Sequence, residues 1–309
     1  MKPRIPFMTA RIAAAFRLGA FAATALLLAQ GVSAQEKTIS FVACPIVQHT
    51  NTVPCWLAEY EGETYFLGIQ TDASGWSPPW QGHQVLVEGT VTDLPRVCGG
   101  IPLESKAAPF QKRLSGSSNG VDLPNPPVTS VMRELDATCR TVLPEQDKFN
   151  TLAPRRGPGP SPAQPPRTPE QIAAAAEQRA AREAAEREEA AKLKPPYEPR
   201  EYEMLYDFDS ELAVFTIGEV QNALKYAAQI KASAIEVVGY RSSSLLSNGR
   251  QLEEVPFIAK RRAQELESTL RMLGLPEGTR LDVRWEDAVV AGNGVDDWSR
   301  RRAVVRVVP

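Results

Sequence analysis

Two periodicities divide the chain. In the first half, apolar residues alternate with polar ones over short runs. "CWLAEYEGETYFLGI" (Cys55 to Ile69) reads as two strands around a turn at Glu61-Gly62. "GHQVLVEGTVTDL" (Gly82 to Leu94) alternates Val85 and Val87 with Gln84, Leu86 and Glu88, and Gly89 is placed to bend or bulge that strand. "VTSVMRELDATC" (Val128 to Cys139) fits either a short helix or a last strand. Several short strands separated by turn signals predict a small β barrel or sandwich.

In the second half the periods of two and 3.6 take turns. Tyr202, Met204, Tyr206 and Phe208 alternate as a strand. Ile217, Val220, Leu224, Ala227 and Ala228 share one helical face. Ile235 to Gly239 is a short apolar strand. Ile258, Ala259, Ala263, Leu266, Leu270 and Leu273 mark a second helix, with Pro256 at its start and Gly274 as its stop. Leu281, Val283 and Trp285 alternate again, and "RRAVVRVV" closes the chain as a strand. The order β-α-β-α-β, loop, β predicts helices on one face of a sheet.

Composition separates the halves. "TLAPRRGPGPSPAQPPRTPE", from Thr151, is too rich in Pro and Gly for a helix or sheet interior and reads as an extended spacer. Gln171 to Lys194 is Ala, Glu and Arg, all strong helix formers. Thr168, Pro169 and Gln171 supply a capping box, and opposite charges recur at i,i+4 in Arg179–Glu183, Arg182–Glu186, Glu183–Arg187 and Glu188–Lys192. With no apolar stripe to bury, this helix reads as a solvated spacer, the alternative being a coiled-coil seam. "KPPYEP" stops it. The division expected is 1–34, 36–150, 151–200 and 201–309, an α+β chain with two globular pieces of roughly 110 residues, each enough for a core.

Residues 1–34 carry Lys2, Arg4, Arg11 and Arg17 before the apolar run Leu18 to Ala29, with Val32, Ser33 and Ala34 as a small-residue cleavage site. That is the pattern of a secretory signal peptide, the alternative being a retained anchor. The run is short of the about 20 apolar residues needed to span a bilayer. Localisation in the periplasm, with association to the outer membrane, is the expectation. The whole chain has 35 basic and 37 acidic residues, and the four basic ones of the leader leave the rest near −6. No nucleic-acid partner is expected of so acidic a chain.

Export implies an oxidising compartment, where Cys44, Cys55, Cys98 and Cys139 would pair. Of three connectivities, nearest neighbours, Cys44–Cys55 and Cys98–Cys139, are expected. No C-x-x-C occurs, and His49 and His83 are the only histidines, so no metal is expected. No catalytic motif or cofactor fingerprint is present, and the chain reads as a non-enzyme. "GWSPPW" (Gly75 to Trp80) is either a partner-docking loop or a rigid turn on its own barrel.

Two resemblances add to this. The G-x-x-V-x-V-x-G-x-V run beginning at Gly82 looks like one strand of an OB-type barrel. Residues 201–309 resemble the OmpA-like C-terminal domain, a periplasmic module that holds envelope proteins to peptidoglycan. "YDFDS" (Tyr206 to Ser210) resembles that family's opening strand, "IEVVGY" (Ile235 to Tyr240) its second strand, "IAKRRA" (Ile258 to Ala263) its L-S-x-x-R-A helix and "RRRAVVRVV" (Arg300 to Val308) its closing strand. The resemblance implies a βαβαβ-β sandwich and a site for the diaminopimelate of the stem peptide.

In the family an Asp at the end of the second strand and the arginine of the helix grip that zwitterion. Arg262 matches the arginine, while Gly239, Tyr240, Arg241 and Ser242 stand where the family has G-H-T-D, so Ser242 replaces the acid. The loop after it is enlarged, and Glu253 or Glu254 is the candidate substitute carboxylate. Arg262 could instead be a surface arginine bracing the sheet edge, and Arg300, Arg301 and Arg302 lie near the ligand-side loops. The leading expectation is a cell-envelope protein that associates with peptidoglycan through Arg262, Ser242, Arg241 and Glu253. The alternatives are an interaction or scaffold protein that keeps the fold without the glycan site and has envelope proteins as partners, and an envelope enzyme with its site in the N-terminal barrel.

Overall fold

The computed structural model describes residues 37–50, 53–69, 78–105, 117–118, 121–122, 125–146, 168–213 and 217–309. The leader, most of the Pro-rich spacer and Gly75 to Ser77 of the "GWSPPW" stretch lie outside the described residues. No helix among the described residues is long and apolar enough to cross a membrane. Residues 36–309 form one compact unit by contacts. The architecture is α+β, with mixed sheets and three α-helices among the described residues.

In the N-terminal half, β1 (Thr38–Ala43) and β2 (Pro45–Gln48) are nearly one strand interrupted at Cys44. β3 (Cys55–Tyr60) and β4 (Glu63–Ile69) form the hairpin the alternation predicts, and Glu61 and Gly62 both have positive φ, 51° and 79°. Two residues in that conformation match the right-handed twist of the flanking strands. β5 (His83–Val91) pairs β1 antiparallel, from Thr38 opposite Thr90 to Ala43 opposite Val85. β6 (Ile101–Glu104) pairs β5 antiparallel and β4 parallel. β7 (Ser117–Ser118) and β8 (Val121–Asp122) are a small hairpin. Val128–Leu135, ambiguous in sequence, is strand β9, paired with β5, and β10 (Thr141–Leu143) runs parallel to β2. Phe41, Tyr65, Leu67, Val85, Val87 and Leu103 share one core.

The cysteine pairing differs from the nearest-neighbour expectation: the bridges are Cys44–Cys139 and Cys55–Cys98. Strand register explains it. Cys55 sits opposite Gln48 across β2–β3, four positions from Cys44. At about 3.3 Å per residue that is roughly 13 Å, beyond the ~7 Å Cα separation a disulfide tolerates. The parallel β2–β10 pair instead brings Cys139 to Cys44, with Cα atoms 4.7 Å apart. The Val97–Gly100 turn, with Gly100 pressed on the β4 backbone at Tyr65 and Phe66, brings Cys98 to Cys55.

α1 (Pro169–Lys192) is the Ala/Glu/Arg helix, and its Glu188–Lys192 pair closes at 3.1 Å. The side chains of Gln171, Arg182, Glu183 and Glu186 lie outside the described residues, and with them the capping box and the other three expected pairs. β11 (Arg200–Leu205), α2 (Ile217–Ile230), β12 (Ala234–Leu245), β13 (Gln251–Glu253), α3 (Ile258–Leu273), β14 (Arg280–Val290) and β15 (Arg302–Val308) follow. The sheet order is β11-β15-β12-β13, with β14 also parallel to β12. α2 and α3 pack on this sheet through Val220, Ala223, Ala227, Ala263, Leu266 and Leu270 against Ile235, Val237 and Val305. In this half the element the alternation missed is β13, which turns the enlarged loop into a hairpin with the end of β12, Ser243 opposite Glu253.

Candidate functional site

The C-terminal end of β12 gathers the residues that sequence singled out. Gly239 is where α3 meets the strand: a Cβ there would strike the Ala259 carbonyl oxygen. That close approach, available to glycine, sets the first turns of α3 beneath the sheet. Arg262, one turn further on, is therefore driven inward and is fully buried, not a surface brace.

Its guanidinium has five N–H donors, and the chain takes all of them. Nε donates to the Ser210 carbonyl at 3.0 Å. Nη1 donates to the Tyr240 carbonyl at 3.0 Å and to Glu254 Oε2 at 2.9 Å. Nη2 donates to the Asp207 carbonyl at 3.1 Å and to Glu254 Oε1 at 2.5 Å. The guanidinium also lies 4.8 Å from the centre of the Tyr206 ring. Burial raises the Tyr206 phenol above its usual range, so the ring stays neutral beside the cation.

The acid that meets Arg262 is Glu254, 1 % exposed, while Glu253 is not part of the pocket. Glu254 is pinned from every side. Oε1 accepts the Asp209 amide at 3.0 Å, and Oε2 accepts the Ser242 amide at 2.9 Å and the Ser242 hydroxyl at 3.2 Å. Ser242 does not touch Arg262 directly; it holds the carboxylate that does. Asp209 completes the ring by accepting the Val255 amide on Oδ1 at 2.7 Å. Burial pushes the Asp209 carboxyl up, and the Val255 amide pulls against it. Arg241 and Glu253 pair at 3.1 Å on the outer side, and Arg241 Nε caps the Glu254 carbonyl at 2.6 Å.

A second buried arginine lies beside the first. Of the three consecutive arginines, Arg302 pairs with Glu203 at the surface and Arg300 with Asp297 in a 3-10 turn, Asp297–Arg300. Arg301 is fully buried and bonds Glu88 of β5 at 2.6 Å. Ser244 links the pair, accepting from Arg301 Nη1 at 3.2 Å and donating to Glu88 Oε1 at 3.0 Å. Burial alone would lower the Arg301 pKa, but the charge and hydrogen bond of Glu88 outweigh it and the pKa rises. Asp207 is pushed up chiefly by burial, with Arg301 and Arg262 pulling it down and Glu88 pushing it further up. Glu88 was not a sequence candidate, because its place in the alternation reads as the solvent face. The one signal available was an acid in a strand whose neighbours Leu86 and Thr90 lack a charge for it.

The cysteines hold no thiolate: Cys44, Asp136 and Cys139 lie together, but both sulfurs are in the bridge. No family model matches the chain, and no curated protein matches it. Among solved structures, the chain is similar to the OmpA-like domain of FopA1 from Francisella tularensis subsp. tularensis SCHU S4, at 14% identity and TM-score 0.27, over 36% of this chain and 73% of that one.

Proposed function

We propose that this is an exported cell-envelope protein whose C-terminal module keeps an OmpA-like architecture but has its stem-peptide pocket filled by its own Glu254, so that it serves as an interaction or scaffold module. The motifs at Tyr206–Ser210, Ile235–Tyr240, Ile258–Ala263 and Arg300–Val308 support the family reading, and the leader pattern supports export. The observation that favours occlusion over glycan binding is the state of Arg262: it is fully buried and all of its N–H groups are taken within the chain. An incoming carboxylate would have to displace a bidentate charged pair that backbone amides also hold. The N-terminal half is read as an OB-type barrel. In support, β1/β2 pairs β5 with its first part and β3 with its second, and β4 and β6 run parallel.

Sedimentation with intact sacculi tests the occlusion. The full-length mature protein is expected to stay in the supernatant at the level of an unrelated acidic protein. Saturable sedimentation that free diaminopimelate competes away would overturn it.

A further inference from the structure

The end of the C-terminal sheet where the pocket lies, formed by the end of β12, the β12–β13 turn and the segment after β11, packs against the N-terminal strands. Leu86 packs with Phe208 and Leu246, with Val42, Met132 and Leu252 around them. Polar bonds cross the same seam at both edges. Ser40 and Ser247 exchange bonds, amide to hydroxyl at 2.9 Å and amide to carbonyl at 2.7 Å. The Phe208 amide donates to Ser130 Oγ at 3.0 Å. Arg133 grips the Asp209 carbonyl with Nε at 2.8 Å and Nη2 at 2.6 Å, and pairs with Glu211 at 2.7 Å. The Arg301–Glu88 pair crosses between them.

These contacts fall on the segments that hold Glu254. Arg133 fixes the carbonyl of Asp209, whose amide and carboxylate hold Glu254 Oε1 and the Val255 amide. Ser244 and Ser247, bonded across the seam, belong to the strand and turn that carry Ser242. We propose that the N-terminal strand unit is a latch on the Arg262 pocket, keeping Glu254 seated, and that the pocket opens only when the seam parts. This rests on reading Glu254 as the occupant of the pocket.

The physical reason is cooperativity of a satisfied polar network. Buried polar groups that share partners are lost together, because each bond broken leaves its partner unsatisfied in a low-dielectric site. Arg133 is the place to test it, since its side chain is 38% exposed and its loss opens no core cavity.

Amide hydrogen exchange on the full mature chain reads the latch directly. The amides of Asp209 and Ser242 donate to the Glu254 carboxylate, and that of Val255 to the Asp209 carboxylate. Arg133→Ala is expected to speed their exchange about tenfold, the scale of losing one charged hydrogen bond, with Val305 in the central strand β15 unchanged. Arg133→Lys, which keeps the charge but loses the fork, is expected to show a smaller rise at the same three amides. The latch is overturned if the three amides keep the wild-type rate in folded Arg133→Ala, or if Val305 accelerates with them. Exchange reads the seating of Glu254 whether or not the module ever meets peptidoglycan. Failure here therefore leaves the occlusion standing, whereas sedimentation of the wild type removes the occlusion by a separate readout.

Discussion

At the scale of single residues, two buried arginines dominate, and each is paired with a buried carboxylate. Taking one partner from such a pair is far more costly than replacing both. Glu254→Ala is expected to lower unfolding stability by about 3–5 kcal/mol in urea titration, because Arg262 keeps its charge in a dry site. The double change Arg262→Met, Glu254→Leu is expected to cost less than Glu254→Ala alone; a larger cost would show that the backbone bonds of Arg262, not its ion pair, are what the site needs. Asp207 gives a pH test. Its carboxyl is pushed up chiefly by burial. A raised carboxylate binds its proton more tightly in the fold, so its contribution is full below about pH 4, the unfolded value, and is lost as pH rises through the folded one. Asp207→Asn is therefore expected to match the wild type in acid and to be the more stable at neutral pH, as thermal melts across that range would show. Much of this was legible only in part. The pattern of an arginine on a helix start and a serine at a strand end pointed to Arg262 and Ser242, which the structure joins only through Glu254. It left Glu253 and Glu254 open, because adjacent residues at the end of a strand point opposite ways and only the register decides which turns inward. Glu88 was hidden because alternation separates two faces without telling which face another part of the chain will cover.

At the scale of elements, periodicity found α2 and α3, the strands β3, β4 and β5, and all but one strand of the C-terminal half. It did not mark β1, β2, β6, β7, β8 or β10, short runs of which β1 and β10 pair with strands distant in sequence. It missed β13 because three residues, Gln251 to Glu253, are too few for a period to show. It left Val128–Leu135 open for a different reason: its core contacts come from β5, a partner distant in sequence. The enlarged loop is thus not slack. Its β12–β13 hairpin presents Glu254 to Arg262 through its far end and Ser244 and Leu246 to the N-terminal strands through its near end. Gly239 controls where α3 can lie against this strand. Gly239→Ala puts a methyl group onto the Ala259 carbonyl, backbone against backbone, and neither can rotate away. A loss of about 1–3 kcal/mol is expected, the usual range for overpacking. Circular dichroism melts would measure it, and a melt unchanged from wild type would mean that α3 slides at no cost.

At the scale of the whole molecule, the chain is tied across large sequence separations. The bridges close loops of 95 and 43 residues, and the seam joins Glu88 to Arg301. Non-reducing peptide maps are expected to link Cys44 to Cys139 and Cys55 to Cys98. Losing the first pair through a Cys44→Ala, Cys139→Ala variant is expected to cost about 2–5 kcal/mol. The connectivity could not be read from spacing, because it follows from strands that pair out of sequence order. The same principle decides the fate of a cut chain. The Pro- and Gly-rich composition from Thr151 disfavours helix and sheet, so limited proteolysis is expected to nick the chain there first. If the two halves met only through that spacer, nicking would release two pieces. Instead the seam joins an apolar cluster, two buried or half-buried ion pairs and the Ser40–Ser247 exchange. Neither bridge crosses the nick, since all four cysteines precede it. The nicked protein is therefore expected to elute as one species of unchanged size under native conditions, and as two fragments in denaturant without any reductant. Fragments that separate in native buffer would show that the spacer, and not the seam, holds the two halves together.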